Sequence, residues 1–206
     1  MPRAALSEVE VDAQRERISS AAEGLFAERG FGAVTMRAIA ARLGCSPMTP
    51  YRYFASKDEI FDAVRTAAFA RFADRQERAA SGPGDVRERL LALGRDYVAF
   101  ARKEPDAYRI MFELGQDGLS ERRELWTESK RAWRPMHTAV ADAVAAGPFG
   151  GDVETLAHLF WAGVHGIVTL HLAGKLELGR TLEELVEPML TTLFAGNERG
   201  DDNERT

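Results

Sequence analysis

From about Asp12 onward, apolar side chains recur at intervals of three and four, the signature of helices with one buried face, and no segment alternates convincingly as a half-buried strand does. A first helix carries Ile18, Ala22, Leu25 and Phe26 on one side and is expected to end at Arg29-Gly30, where glycine suits a left-handed cap. Thr35 then caps a second helix with Ile39, Ala40 and Leu43 inward, closed by Gly44. A short third helix follows in SPMTPYRYF. Ser56 caps a long one from Lys57 to about Ala79, which at 1.5 Å per residue extends roughly 35 Å.

SGPGD at 81–85 is a break, after which Asp85 caps a helix showing Val86, Leu90, Leu93, Tyr97 and Ala101 that stops at Glu104. Pro105 fits the first turn of the next helix, expected to end at Gly115. Trp126, Ser129, Trp133, Met136, Val140 and Ala143 form a further stripe, with a kink expected at Pro135. Two more helices, roughly 152–173 and 181–195, complete an all-α chain of about nine helices, and the tail GNERGDDNERT is too polar to pack. The expected division is a head at 12–58, a helical body at 59–195 and a disordered tail at 196–206.

The composition, 45% hydrophobic and 29% charged over 206 residues, is that of a globular protein. His, Gly or charge interrupts every long apolar stretch, so no membrane span and no membrane partner are expected. The acidic N-terminus does not resemble a signal peptide, which points to the cytoplasm. A single cysteine, Cys45, allows no internal disulfide and no cysteine-based metal cluster. Net charge is −5, but residues 13–57 alone carry seven basic against three acidic groups, so a positive head sits on an acidic body. Such a distribution steers one end toward polyanions.

The helix ending at Gly44, a three-residue turn and a short helix opening at Ser46-Pro47 have helix-turn-helix spacing, a shape that also occurs in proteins that never touch DNA. Its short second helix adds hydroxyls on Ser46, Thr49, Tyr51 and Tyr53 and charge on Arg52 and Lys57, an inventory for holding phosphates. At these residues the chain resembles the TetR family of transcriptional regulators: Phe26, Gly30, Thr35, Ile39-Ala40, Leu43-Gly44, Tyr51, Tyr53-Phe54 and Lys57 all fit its DNA-binding domain. The resemblance implies that Thr35 caps the second helix and touches phosphate, that Met36 and Arg37 lie at the groove, and that 46–53 is the recognition helix with Tyr51, Tyr53 and Lys57 on the backbone. Pro50 departs from the family, which usually places an inward aliphatic residue there. Because proline lacks a donor, Thr49 is favoured as the cap with Pro50 in the first turn, leaving Met48 and Thr49 to meet base edges, Met48 against a thymine methyl.

FWAGVHGIVTLHLAGKL resembles a C-terminal class of the family with a Trp-His-Gly signature, here Trp161, His165 and Gly166. The resemblance implies a homodimer through the last two helices. Gly163, Gly166 and Gly174 suit close helix approach there, with Leu170, Leu190 and Phe194 beside them, although the glycines also suit packing inside one subunit. Tyr97, Phe100, Tyr108, Phe112, Trp126, Trp133, His137, Trp161 and His165 are candidates for an apolar effector pocket, and no cationic cluster argues for a phosphorylated metabolite. No two of His137, His158, His165 and His171 are three or four apart, and no nucleophile elbow or phosphate-binding glycine loop is present, so neither metal, cofactor nor enzymatic activity is expected. The expected function is a regulator, chiefly a repressor, that leaves a palindromic double-stranded DNA operator on binding a small hydrophobic or aromatic effector. A helical enzyme or ligand carrier with a non-DNA-binding helix-turn-helix, or an effector-free activator, are the alternatives.

Overall fold

The computed structural model describes residues 7–112, 118–147 and 149–197, and among them every long element is a helix. The polar tail from 198 and the expected helix end at Gly115 lie outside the described residues. The α-helices are α1 (Glu8–Ala33), α2 (Met36–Leu43), α3 (Lys57–Ala80), α4 (Val86–Lys103), α5 (Pro105–Phe112), α6 (Arg123–Ala145), α7 (Val153–Leu172) and α8 (Leu182–Asn197), with single 3-10 turns at Pro50–Arg52 and Leu119–Glu121. By contacts the chain divides into two compact units, 1–70 with 106–129, and 71–105 with 130–206. This division falls inside α3, and α5 from Asp106 onward belongs to the first unit.

Local capping chemistry sets most boundaries. Ser7 and Glu10 form a capping box that starts α1 at Glu8, four residues before the apolar pattern becomes visible. Asp85 and Glu88 repeat the device for α4, and Thr181 with Glu184 does so for α8. Ser56 Oγ accepts the Glu59 amide at the head of α3, and Asp152 accepts Thr155 N at the head of α7. Gly30 breaks α1 at φ 73° and ψ 162°, a positive φ but not the expected left-handed helical cap, so the chain swings once and makes a further turn to Ala33. The helix α6 runs through Pro135 from Arg123 to Ala145.

In the first unit, Ile18, Leu25, Phe26, Val34, Ile39, Phe54, Ile60, Phe61 and Val64 form one core, joined by Ile110 from α5. Phe26, Phe31 and Phe61 interlock, each ring centroid within 6.0 Å of the others. In the second unit α4, α7 and α8 pack through Leu90, Leu93, Tyr97, Phe160, Val164, Leu190 and Phe194. The buried face of α6 is Leu125, Ala132, Met136, Ala139, Val140 and Ala143, so the expected stripe is rotated at its start and Trp126 lies exposed. Gly94 permits the close passage of α4 and α8: a Cβ there would stand 2.8 Å from Leu190 Cδ1.

On α7, Leu156, Phe160, Val164 and Val168 are buried while Leu159 and Leu170 stay exposed. This helix is long and apolar enough to cross a membrane, with mean hydropathy 1.2 over its most apolar window, yet only 28% of that window is buried. The expectation of no membrane-length apolar segment therefore needs correcting on length and composition. The interrupting His and Gly residues lower the hydropathy of α7 less than their spacing suggests.

Candidate DNA interface

The geometry begins at Thr35, whose side chain accepts the Ala38 amide at 3.2 Å and starts α2. Gly44 closes the helix in the left-handed region, at φ 66° and ψ 32°, with its amide on Ala41 O. The chain then makes two successive turns in place of a continuous recognition helix: Thr49 N donates to Ser46 O at 2.8 Å, and a 3-10 turn over Pro50–Arg52 is closed by Tyr53 N and Phe54 N, both 3.0 Å from Pro50 O. The expected register holds, since the 3-10 turn starts with Pro50 at its first position. Thr49 does not cap it by side chain, because its own backbone is already helical (φ −64°, ψ −47°) as the end of the preceding turn. Proline removes the donor that would fuse the two turns into one α-helix. Pro50 is also buried, taking the inward position.

Contacts from distant sequence hold this short segment in place. Arg15 of α1 donates one Nη to Tyr53 O and the other to Glu59 at 2.9 Å, and its guanidinium lies 4.0 Å from the Phe54 ring centre. Glu59 also accepts the Ala55 amide at 2.7 Å. That backbone hydrogen bond, helped by Arg15 and opposed by partial burial, lowers the Glu59 pKa from its ordinary 4.5. A carboxylate with a depressed folded pKa contributes stability above the unfolded value and loses it as pH falls through the folded one. Glu59→Gln is therefore expected to lower the melting temperature at pH 7 and to converge with the parent as pH drops below about 4. A gap that stays constant across that range in thermal melts contradicts this role.

Of the expected DNA-facing residues, Thr35, Arg37, Ser46, Met48, Tyr51 and Arg52 are exposed, Met48 by 66% and Tyr51 by 49%, while Thr49 and Tyr53 are half-buried. Two expectations change. Met36 is only 6% exposed and belongs to the core with Ile39, because the inward face of α2 begins at its first residue. Lys57 donates to Phe31 O at 2.8 Å and stacks its ammonium 4.0 Å from that ring's centre, so it ties the end of α1 to the start of α3. Arg42 pairs with Glu28 at 2.9 Å. The exposed Arg37 and Arg52 have no ion pair among the described residues.

The nine expected pocket residues separate into two groups. In the second unit, Tyr97 Oη lies 3.0 Å from His165 Nδ1, Trp161 contacts His165 and Trp133, and His137 meets Glu154 at 2.7 Å, with Phe100 fully buried. In the first unit, Tyr108 is buried against Phe112, which meets Phe69, and Trp126 is 38% exposed. The dimer residues also divide. Leu190 and Phe194 are buried inside their own unit, on the stripe Leu182, Val186, Leu190 and Phe194, and so cannot form an outer face. Gly163 faces Met189 and Leu193 of α8 in the same chain. Gly174, at φ +64°, terminates α7 by conformation, with Lys175 N on Leu170 O. Gly166 has nothing within 4 Å of a built Cβ, and Leu170 is exposed.

Residues 18–64 match the family model described as bacterial regulatory proteins, tetR family, and 90–193 match that of the tetracyclin repressor-like C-terminal domain. The chain is 31% identical over 102 residues to the HTH-type transcriptional activator FasR of Mycolicibacterium smegmatis, covering 50% of this chain and 47% of FasR. It is 28% identical over 192 residues to the HTH-type transcriptional regulator HbdR of Aromatoleum sp. (strain CIB), covering 88% and 82% of the two chains. A protein of unknown function from Rhodococcus sp. RHA1 has the same fold, with TM-score 0.77, 25% identity and coverage of 97% and 100%. The chain spans about half the length of FasR. Both halves of the sequence carry the family's models and the helix-turn-helix is presented at the surface, so this chain belongs to the tetR family of bacterial regulatory proteins.

Proposed function

We propose that this chain is a homodimeric, effector-released repressor that reads a palindromic operator through Thr35, Arg37, Ser46, Met48, Thr49, Tyr51 and Arg52, and that it works in the cytoplasm. The observation that carries the reading is a short, turn-rich segment with Met48 and Tyr51 exposed at its tip, held from behind by Pro50, Phe54 and the Arg15 contacts. A large thioether on a surface has no folding role, whereas thymine methyls offer it an apolar partner. Tyr51, Tyr53 and the two arginines supply phosphate contacts.

Dimerisation is assigned to the outward side of α7, where Leu159, Ala162 and Leu170 stand exposed and the half-buried Gly166 has open space beside it, all at spacings of three and four. A second copy of this helix, rather than lipid, is the natural cover for such a stripe in a DNA-binding family. In the dimer two recognition segments meet half-sites about 34 Å apart or a multiple of it. The effector is hydrophobic or aromatic, in keeping with the aromatic residues of the body, and its binding favours a spacing that no longer fits. A coupling of about 1–3 kcal/mol suffices to change promoter occupancy.

A gel-shift and footprint series on a selected operator tests this reading. The expected result is a dimer-sized protected inverted repeat that is released by one class of small apolar compound. Equal affinity for every duplex, or a footprint insensitive to any compound that raises the melting temperature, contradicts it.

A further inference from the structure

The end of α3, the first turns of α4 and the second half of α6 border a cleft of about 230 Å³ that belongs wholly to the second unit. Its polar lining includes Glu77, Arg89, Arg134, Thr138 and Asp142. These groups are unequally matched. Glu77 is fully engaged: Arg131 donates Nε to one carboxylate oxygen at 2.8 Å and Nη2 to the other at 2.5 Å, which holds the Glu77 pKa below its ordinary 4.5. Arg89 is not. Its Nε is buried without a hydrogen-bond partner, and its Nη1 stands 3.4 Å from Asp142 Oδ2, longer than the roughly 2.7–2.9 Å of a matched charged pair. Asp142 makes that one long ion pair among the described residues, and its side chain is 44% exposed. Arg134 is exposed with no ion pair among the described residues.

An under-bonded guanidinium beside a part-exposed carboxylate, both on the wall of one cleft, decides what can enter. A simple anion that reaches Arg89 meets Asp142 as a like charge, and a simple cation that reaches Asp142 meets Arg89 in the same way. A molecule that carries both charges on neighbouring atoms meets each group with the right sign. Size agrees: the cleft is smaller than the roughly 300–1,000 Å³ of drug-sized sites and several times the roughly 30 Å³ of one water.

We propose that this cleft binds a free α-amino acid, its carboxylate on the Arg89 guanidinium and its ammonium on Asp142, with Arg134 and Thr138 left to contact the side chain. A planar guanidinium takes a carboxylate in two parallel hydrogen bonds, which Asp142 at its present distance does not supply. The site is a second one and does not rest on the apolar effector proposed above.

The full chain is melted with each standard L-amino acid soluble at about 10 mM, and the strongest stabiliser is repeated as its N-acetyl derivative and as its carboxamide. Expected is at least one amino acid that raises the melting temperature by about 3–6 °C, the shift for a ligand at roughly ten times its Kd. The N-acetyl form has lost the ammonium and the carboxamide the carboxylate, so each should give at most about half of that shift. Arg89→Met and Asp142→Asn should each abolish the shift with the amino acid itself. No shift with any amino acid, an equal shift with either derivative, or a shift that persists in either variant overturns the proposal, and if Arg89→Met does not fold, Asp142→Asn alone decides.

Discussion

Replacing Arg37, Tyr51 and Arg52 together by alanine is expected to weaken operator binding by about 2–4 kcal/mol, roughly 30- to 1,000-fold, while leaving the melting temperature within about 2 °C of the parent. All three side chains are exposed, and neither arginine is tied to an acidic partner among the described residues, so their removal costs the fold little. Their loss on DNA has two parts. Two cations fewer at the phosphates should flatten the plot of log affinity against log salt by about 2, at roughly 0.9 per contact. Loss of the Tyr51 hydroxyl adds a salt-independent term. A titration in filter binding or fluorescence anisotropy at several salt concentrations separates the two, and an unchanged slope would remove both arginines from the interface.

The second large effect is on stability. Gly94→Val is expected to destabilise the chain by about 3 kcal/mol, lowering the melting temperature by roughly 6–12 °C. A Cβ at residue 94 would stand 2.8 Å and 2.9 Å from the two methyl carbons of Leu190, and Leu190 is fully buried. Valine adds two further carbons to that clash, and its helix propensity returns only a few tenths of a kcal/mol relative to glycine. Gly24 in α1 provides the control. A Cβ there meets Arg42 Nη1 at 3.7 Å, an ordinary contact, so Gly24→Ala should stabilise by about 0.5–1 kcal/mol through lower chain entropy. If both glycine variants shift the melting temperature the same way, the close approach of α4 and α8 is not what Gly94 serves.

What could be read from the sequence was mostly local. Asp85 with Glu88, Ser56, Asp152 and Pro105 each fix a helix start through groups within four residues, and those starts are where the spacing predicts them. The chain after Gly44 was legible for the same reason: proline has no amide, so Pro50 had to begin a turn rather than continue one. What stayed hidden depends on distance along the chain. Arg15 reaches Tyr53 and Glu59 across 38 and 44 residues, and Lys57 reaches back 26 residues to Phe31. Charge alone placed Arg15 in the basic head and Lys57 on phosphate, and only the fold shows that both hold the head together.

Two further signals lie in the sequence itself. Leu182, Val186, Leu190 and Phe194 recur every four residues, a buried stripe, yet the expectation of a dimer turned Leu190 and Phe194 outward. Arg65 interrupts the apolar pattern of Phe61, Val64, Ala68 and Phe72 on α3, and a charge at an inward helix position is itself a sign of an ion pair or a ligand.

The most direct test of the central claim is selection of bound sites from random duplex DNA by the purified full chain. The account predicts one enriched inverted repeat, with half-site centres about 10 base pairs apart or a multiple of that, and a thymine preference where Met48 enters the groove. Recovery of DNA with no common motif, or of single half-sites without symmetry, would contradict a dimer that reads DNA through residues 46–53.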